Sequence, residues 1–307
     1  MNWRKTSIYD LETLHKSARN NEFFANNYSA VNSVLYQNKF NSQLALEGPW
    51  IFEKYYADGK TLYSFPHNID ADKGGIKEAL EMLCKSEKTE DGGLTFQNIT
   101  ADEKDILAGL FPNAKITSTP ESGDYIYLTK NLSGLEGKKY SKKRNHIHQF
   151  QNKYPDFIYE PLGNGNLDSA RRVEEKWLCE NREFAMSDGT LSDLQIEKEI
   201  ITFALDNFET FSKACGMSGG ILLVSGEPVA FCISSILSGR VTDIHFEKCL
   251  YSFGRDGGYA VINNEFAKTA CTEFLNREED LGIEGLRKAK LSYYPEQVLE
   301  KYLVEIN

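Results

Sequence analysis

Two glycine and charge patterns in this chain have residue types and spacing that could do chemistry. The run Arg255-x-x-Gly258-x-Ala260, with Gly257 as its third residue, sits between a strand-like segment and a helical one. Glycines there let backbone N–H groups approach an anion, and the helix N-terminus adds a favourable partial charge. The same pattern also serves a tight strand-to-helix turn. The second pattern is Asn276-Arg277-Glu278-Glu279-Asp280-Leu281-Gly282, followed by Leu286 to Pro295. Arg277, Arg287 and Lys290 offer cations, and Glu278, Glu279 and Asp280 offer proton acceptors, at the carboxyl end of a short strand where open α/β sheets place ligands. The alternative is helix capping, with the acids at the next N-terminus and the bases on its far face. His245-Phe246-Glu247-Lys248 adds a third charged strand end. Glu247 there is a candidate base or half of a surface pair, and His245 a base or a hydrogen-bonded structural residue.

The elements that must position these residues follow from periodicity. Helical spacing covers Asp10–Arg19, Gly75–Lys85 and Ala101–Leu110, and strand-like runs cover Gln43–Leu46, Trp50–Tyr56, Thr61–Phe65 and Tyr125–Leu128. Asp58-Gly59 between two such runs predicts a hairpin. Residues 1–132 therefore read as one mixed α/β unit, expected to be structural. Composition then changes: Lys138 to Lys153 holds six Lys or Arg, two His and no acid. Tyr140, Ile147 and Phe150 fall on helical spacing, so this is a basic amphipathic helix that either links two units or binds an anion. In the second unit, 133–307, Phe157–Glu160 is a strand and Asp168–Cys179 a helix. Ser192 and Gln195 form a capping box for a helix running on through Phe211. Strands at Gly220–Val224, Val229–Ile236 and Arg240–Lys248 precede the glycine loop. A helix over Gly258–Thr272, a strand over Glu273–Leu275 and a helix over Glu284–Leu291 follow it.

The chain has 307 residues and a net charge of -10, which argues against general nucleic-acid coating while leaving room for a local basic patch. No apolar stretch approaches the roughly 20 residues a spanning helix needs, and no signal peptide is apparent. The six cysteines contain no C-x-x-C pair, so they predict neither a disulfide framework nor a zinc site. A soluble protein of the reducing cytoplasm is expected, with no metal and no permanently bound cofactor.

A hairpin, a third strand ending in charge, an R-x-x-G-x-A loop with its helix, and a short strand ending in charge together make the plan of the GNAT N-acyltransferase fold. Lys142-Lys143-Arg144-Asn145, the segment Glu183 to Gly189, His245 to Lys248 and the block Asn276 to Pro295 resemble the phosphatidylglycerol lysyltransferase C-terminal family. This resemblance implies an α/β (α+β) fold of two tandem GNAT-like domains, 1–132 and 133–307, each a mixed, mostly antiparallel sheet flanked by helices. Family members better known from membranes move an aminoacyl group from charged tRNA to a lipid glycerol hydroxyl, and Lys290 ahead of Tyr293-Tyr294-Pro295 matches their lysine. The transmembrane flippase region of those proteins is absent here, so a lipid acceptor would be met transiently.

The expected activity is acyl or aminoacyl transfer. Arg255, Gly257 and Gly258 would hold donor phosphate, Lys290 or Arg277 would stabilise the carbonyl oxygen, and Glu247 or Glu278 would act as base. With aminoacyl-tRNA as donor, Lys139, Lys142, Lys143 and Arg144 form its electrostatic contact. The alternatives are an acyl-CoA-dependent N-acetyltransferase and a non-catalytic module that binds nucleotide or tRNA.

Overall fold

The computed structural model describes residues 1–87 and 93–306, the Phe184 side chain excepted. A first sheet is built from β1 (Arg4–Lys5), β2 (Gln43–Glu47), β3 (Trp50–Ala57), β4 (Lys60–Tyr63), β5 (His67–Asn68), β6 (Leu94–Ile99) and β7 (Lys115–Ser118). A second sheet holds β8 (Asp124–Leu128), β9 (Ile158–Pro161), β10 (Ser218–Val224), β11 (Glu227–Ile236), β12 (Val241–Cys249), β13 (Phe274–Asn276) and β14 (Gln297–Leu299). The last strand, β15 (Tyr302–Ile306), returns to the first sheet between β6 and β7. Sheet membership thus crosses residue 132 twice. β8 is read before that point but belongs to the second sheet, and β15 lies at the chain's far end but belongs to the first.

Order in the second sheet is β14-β8-β13-β12-β11-β10-β9. β9 to β12 form an antiparallel run, and β13 lies parallel to β12 after the crossover helix Gly258–Thr269. Each unit is a mixed sheet flanked by helices, so the expected α/β class of two tandem units holds. Among the described residues no helix is long and apolar enough to cross a membrane.

Among the described residues, apolar side chains gather in three clusters. One fills the first sheet around Phe52, Leu80, Phe96 and Val304. Another fills the crossover-helix face of the second sheet around Leu222, Ile244, Val261 and Phe266. The third joins the units, because Leu11, Val31, Leu44 and Ile51 pack with Phe231, Ile233 and Phe246. The Asp58-Gly59 hairpin forms as expected, with φ of 50° and 76° suited to a two-residue turn.

Several local readings change. The helix expected over Asp168–Cys179 runs over Leu167–Asp188 and stops at Gly189, left-handed at φ 79°. The chain restarts at once, so Thr190 is the N-cap of Leu191–Asp206 and Ser192 lies inside that helix. The stripe through Phe211 is broken at Asn207, whose amide donates to the Phe203 carbonyl, and resumes as Phe208–Cys215. Most of the expected loop after β12 is a short helix, Tyr251–Arg255.

Candidate active site

Strand β12 pairs with β11 as Ile233↔Phe246 and then Ser234↔Ile244, so His245 is an extra residue with no partner of its own. Such a bulge shifts the alternation of side chains by one. Ile244 accordingly packs with the crossover-helix cluster, whereas Phe246 packs with the cluster that joins the units. Asp243 and His245 therefore face the first unit while Glu247 faces the crossover helix. The next strand repeats the division: Asn276 and Glu278 reach toward the first unit, and Arg277 reaches toward Glu247. Two polar centres result, back to back across β12 and β13.

On the helix side, β12 and β13 pair only from Val241 to Asp243 and then diverge. Glu247 bridges the gap. Its carboxylate accepts from Arg277 Nε at 3.0 Å and from Arg277 Nη2, and from Asn263 Nδ2 at 3.2 Å. Among the described residues, Arg277 Nη1 is buried with no acceptor and Asn263 Oδ1 is buried with no donor. The guanidinium lies 4.9 Å from the centre of the Tyr293 ring. Lys143 Nζ lies 3.6 Å from the same ring centre. Burial, and then the Arg277 charge, push the Lys143 ammonium down to about 8. An amine near that value exchanges protons readily at neutral pH, and an unpaired N–H beside it suits a developing oxyanion.

On the first-unit side, His245 Nε2 meets Ser235 Oγ at 2.8 Å, and its Nδ1 lies 3.5 Å from Glu278 Oε1 and 3.6 Å from Asp243 Oδ2. Asn32, from helix Ala30–Leu35, donates its amide to Glu278 Oε1 at 2.8 Å and to Asp243 Oδ2 at 3.3 Å. Asn26 donates to Glu279, and the buried Lys301 donates to Asp124 at 2.6 Å and to Asn26. Burial, with Glu278 and Asp124 adding to it, holds the Asp243 carboxyl well above the usual range.

The expected site residues are thus distributed unevenly. Glu247 and Arg277 meet as one pair, and Glu278 lies on the opposite face with His245. Lys290 meets no open site: 7% exposed, it donates to the carbonyl oxygens of Arg277, Glu278 and Glu279. It clamps the turn in which Glu278 has a φ of 54°. A direct role at an acyl carbonyl would require it to leave all three acceptors.

The glycines also differ from an open cradle. A Cβ on Gly257 would lie 2.3 Å from the carbonyl oxygen of His146, and one on Gly258 would lie 2.6 Å from Cys249 Sγ. These glycines admit helix Ser141–Lys153 and the end of β12, and the Gly257 N–H is donated to the Gly254 carbonyl at 3.2 Å. Arg255 is exposed beside the Tyr251 ring.

The basic stretch divides too. Lys139 and Lys142 are exposed, whereas Arg144 donates to the carbonyls of Leu135 and Gly137, and Lys143 turns inward. Helical period carries the signal for Lys143, three residues after Tyr140 and four before Ile147 on the buried stripe. Asn32 and Asn263 have no such signal, since one sits in an unread helix and the other in a helix buried on most sides. A half-open cavity of about 400 Å³ lies among Phe23, Tyr28, Trp50, Phe65 and His67, with Gln297 and Leu299 of β14 on its wall.

A family model described as phosphatidylglycerol lysyltransferase, C-terminal, matches residues 50–305. A crystal structure of a conserved protein of unknown function from Bacteroides thetaiotaomicron VPI-5482 superposes over 100% of both chains, with 31% identity and a TM-score of 0.90. The C-terminal domain of a putative lysylphosphatidylglycerol synthetase from Agrobacterium fabrum shares the fold at a TM-score of 0.65 and 10% identity, covering 97% of this chain and 92% of that one. An uncharacterised protein of Mycoplasmoides gallisepticum is 24% identical over 188 residues, 60% of this chain and 56% of that protein. The match thus spans little more than half of that relative's length.

Proposed function

Because the chain belongs to the phosphatidylglycerol lysyltransferase C-terminal family and has a tandem GNAT-like fold related to acyltransferases, we propose that it transfers an aminoacyl group delivered as an ester of charged tRNA. The observation that carries this reading is the pairing of an unsatisfied Arg277 N–H with a Lys143 ammonium lowered to about 8 on one tyrosine ring, where β12 and β13 diverge.

The proposed reaction runs through these groups. The acceptor's hydroxyl or amine attacks the ester carbonyl, and its proton passes to Lys143 Nζ. Arg277 Nη1 donates to the oxyanion as the tetrahedral intermediate forms, while Glu247 and Asn263 fix the guanidinium plane. The C–O bond to the tRNA ribose then breaks, and Lys143 returns the proton to the leaving ribose oxygen. Glu247, already held by Arg277 and Asn263, serves as the orienting group in place of the base.

Two observations favour tRNA over acyl-CoA. The exposed Lys142 precedes the inward-turning Lys143 in helix Ser141–Lys153, with the exposed Lys139 in the turn just before it, and the Gly257 N–H is already donated to the Gly254 carbonyl instead of being free for a pyrophosphate. All six cysteines are unpaired, which supports a reducing cytoplasm, with any lipid acceptor met transiently at a membrane surface.

The test is binding and single-turnover transfer with charged tRNA, uncharged tRNA and acetyl-CoA, each at low and physiological salt. The reading expects salt-sensitive preference for charged tRNA, and deacylation accelerated by added amine or hydroxyl acceptors, phosphatidylglycerol vesicles included. Turnover with acetyl-CoA alone would make the protein an acyl-CoA-dependent N-acyltransferase. Binding without turnover of any donor would make it a binding module.

A further inference from the structure

The centre facing the first unit is built of groups that ask for a cation. Asp243, His245 and Glu278 each direct one donor atom inward, and these atoms all lie within 4.8 Å of one another. Burial is nearly complete, with side-chain exposures of 0% for Asp243, 1% for His245 and 15% for Glu278. His245 Nδ1, Asp243 Oδ1 and Asn32 Oδ1 are all buried without a hydrogen-bond partner among the described residues. An orphaned buried polar atom costs about 1–3 kcal/mol, and three beside one another make an unusual concentration.

Charge points the same way. Asp124, Asp243, Glu278 and Glu279 place four carboxylates in this region, against the two ammonium groups of Lys301 and Lys290. Arg277 lies on the other face, paired with Glu247.

Geometry narrows the ion. A first-row divalent metal bound at about 2.1 Å in a tetrahedral set separates its ligand atoms by roughly 3.4 Å. The observed separations from His245 Nδ1 are 3.5 Å to Glu278 Oε1 and 3.6 Å to Asp243 Oδ2. The outer ring nitrogen, Nε2, already meets the Ser235 hydroxyl, the kind of second hydrogen bond that orients metal-bound imidazoles.

We infer that Asp243, His245 and Glu278 bind one divalent transition-metal ion of the zinc or manganese class, with Asn32 of the first unit closing the site. Asn32 occupies the remaining side, and turning its amide over presents Oδ1 as a fourth ligand. Asp243 and His245 come from β12, Glu278 from the turn after β13 and Asn32 from helix Ala30–Leu35. The ion ties the units together and holds the turn that aims Arg277 at the opposite face. The ligands stand 211 and 33 residues apart along the chain, a spacing no short metal motif contains. This site is independent of the acyl-transfer reading, since its occupancy is measured without turnover.

The test uses full-length protein stripped with chelator and titrated with Zn²⁺, Mn²⁺ and Mg²⁺ by calorimetry, alongside thermal melts. One equivalent of Zn²⁺ or Mn²⁺ is expected to bind in the micromolar range or tighter and to raise Tm, with Mg²⁺ much weaker. His245→Ala and Glu278→Gln should each weaken binding at least 100-fold. Asn32→Asp, which adds a carboxylate at the same position, should bind at least as tightly as wild type and guards against loss through misfolding. Absence of stoichiometric binding to folded wild type, or wild-type affinity in both ligand variants, would overturn the site.

Discussion

The two faces of the β12–β13 pair solve the same problem in opposite ways. On the helix side a single carboxylate, Glu247, is matched to a single guanidinium, and beside the Asn263 amide oxygen what remains unsatisfied is a cationic donor, Arg277 Nη1. On the first-unit side acids outnumber bases, and unsatisfied acceptors remain on Asp243 and Asn32. One face is prepared for negative charge and the other for positive charge. A sheet separates them by only the thickness of its backbone, and the bulge at His245 assigns residues to each side. Consecutive residues of one sequence motif can therefore belong to different chemistries.

The comparison breaks most sharply at Lys301, the strongest neutralising group of the acid-rich face, 1% exposed at the side chain and 2.6 Å from Asp124. Lys301→Met leaves a buried carboxylate without its partner and should cost about 3–5 kcal/mol, read from urea denaturation midpoints at constant m-value. Metal binding by the same face would then be measured against a destabilised background.

On the donor-rich face the effect should be kinetic. Arg277→Lys or Lys143→Met is expected to lower single-turnover transfer by roughly 10²–10³-fold with little change in melting temperature. Equal transfer by both variants would remove this face from the reaction.

A pH profile sharpens the assignment. Lys143 acts as base only when neutral, and burial lowers its value to about 8. Transfer should therefore rise with pH up to about 8 and level off above it. Lys143→Arg should abolish that limb.

Stability should show an acid limb of different origin. Arg287, with help from Tyr125 and the Gly282 N–H, holds Asp280 down at about 2. A carboxylate with a lowered folded value adds stability above its unfolded value, near 4, and loses it as pH falls toward 2. Arg287→Ala should flatten that window in denaturant titrations.

The smallest expected effect concerns the surface. Replacing Lys139 and Lys142 with alanine should reduce the log–log salt slope of tRNA binding by about 1.4–1.8, at roughly 0.7–0.9 per phosphate. Adding Arg144→Ala should change the slope little, since its guanidinium is engaged on the Leu135 and Gly137 carbonyls.

Legibility followed the range of the interaction. The order of hairpin, third strand, glycine turn and crossover helix was readable because turn residues and period are local. So were helix Ala101–Leu110 and helix Glu284–Leu291. The pairing of Glu247 with Arg277 was not readable, since their chain separation says nothing about which face of a bulged strand each occupies. Lys290 was legible as a residue of interest, but its role as a clamp depends on three carbonyls brought together by a turn. The first unit's strands β6 and β7 escaped notice for a related reason: β7 is exposed along its length, and both are completed by β15 from the far end of the chain.

By itself the sequence determined the fold class, the crossover geometry of the second unit and the residue types available for chemistry, all consequences of hydrophobic period and turn composition. Tertiary structure decided which charges meet. One extra residue in β12 reverses the facing of everything after it, and burial then sets the charge of each group according to its neighbours across the sheet.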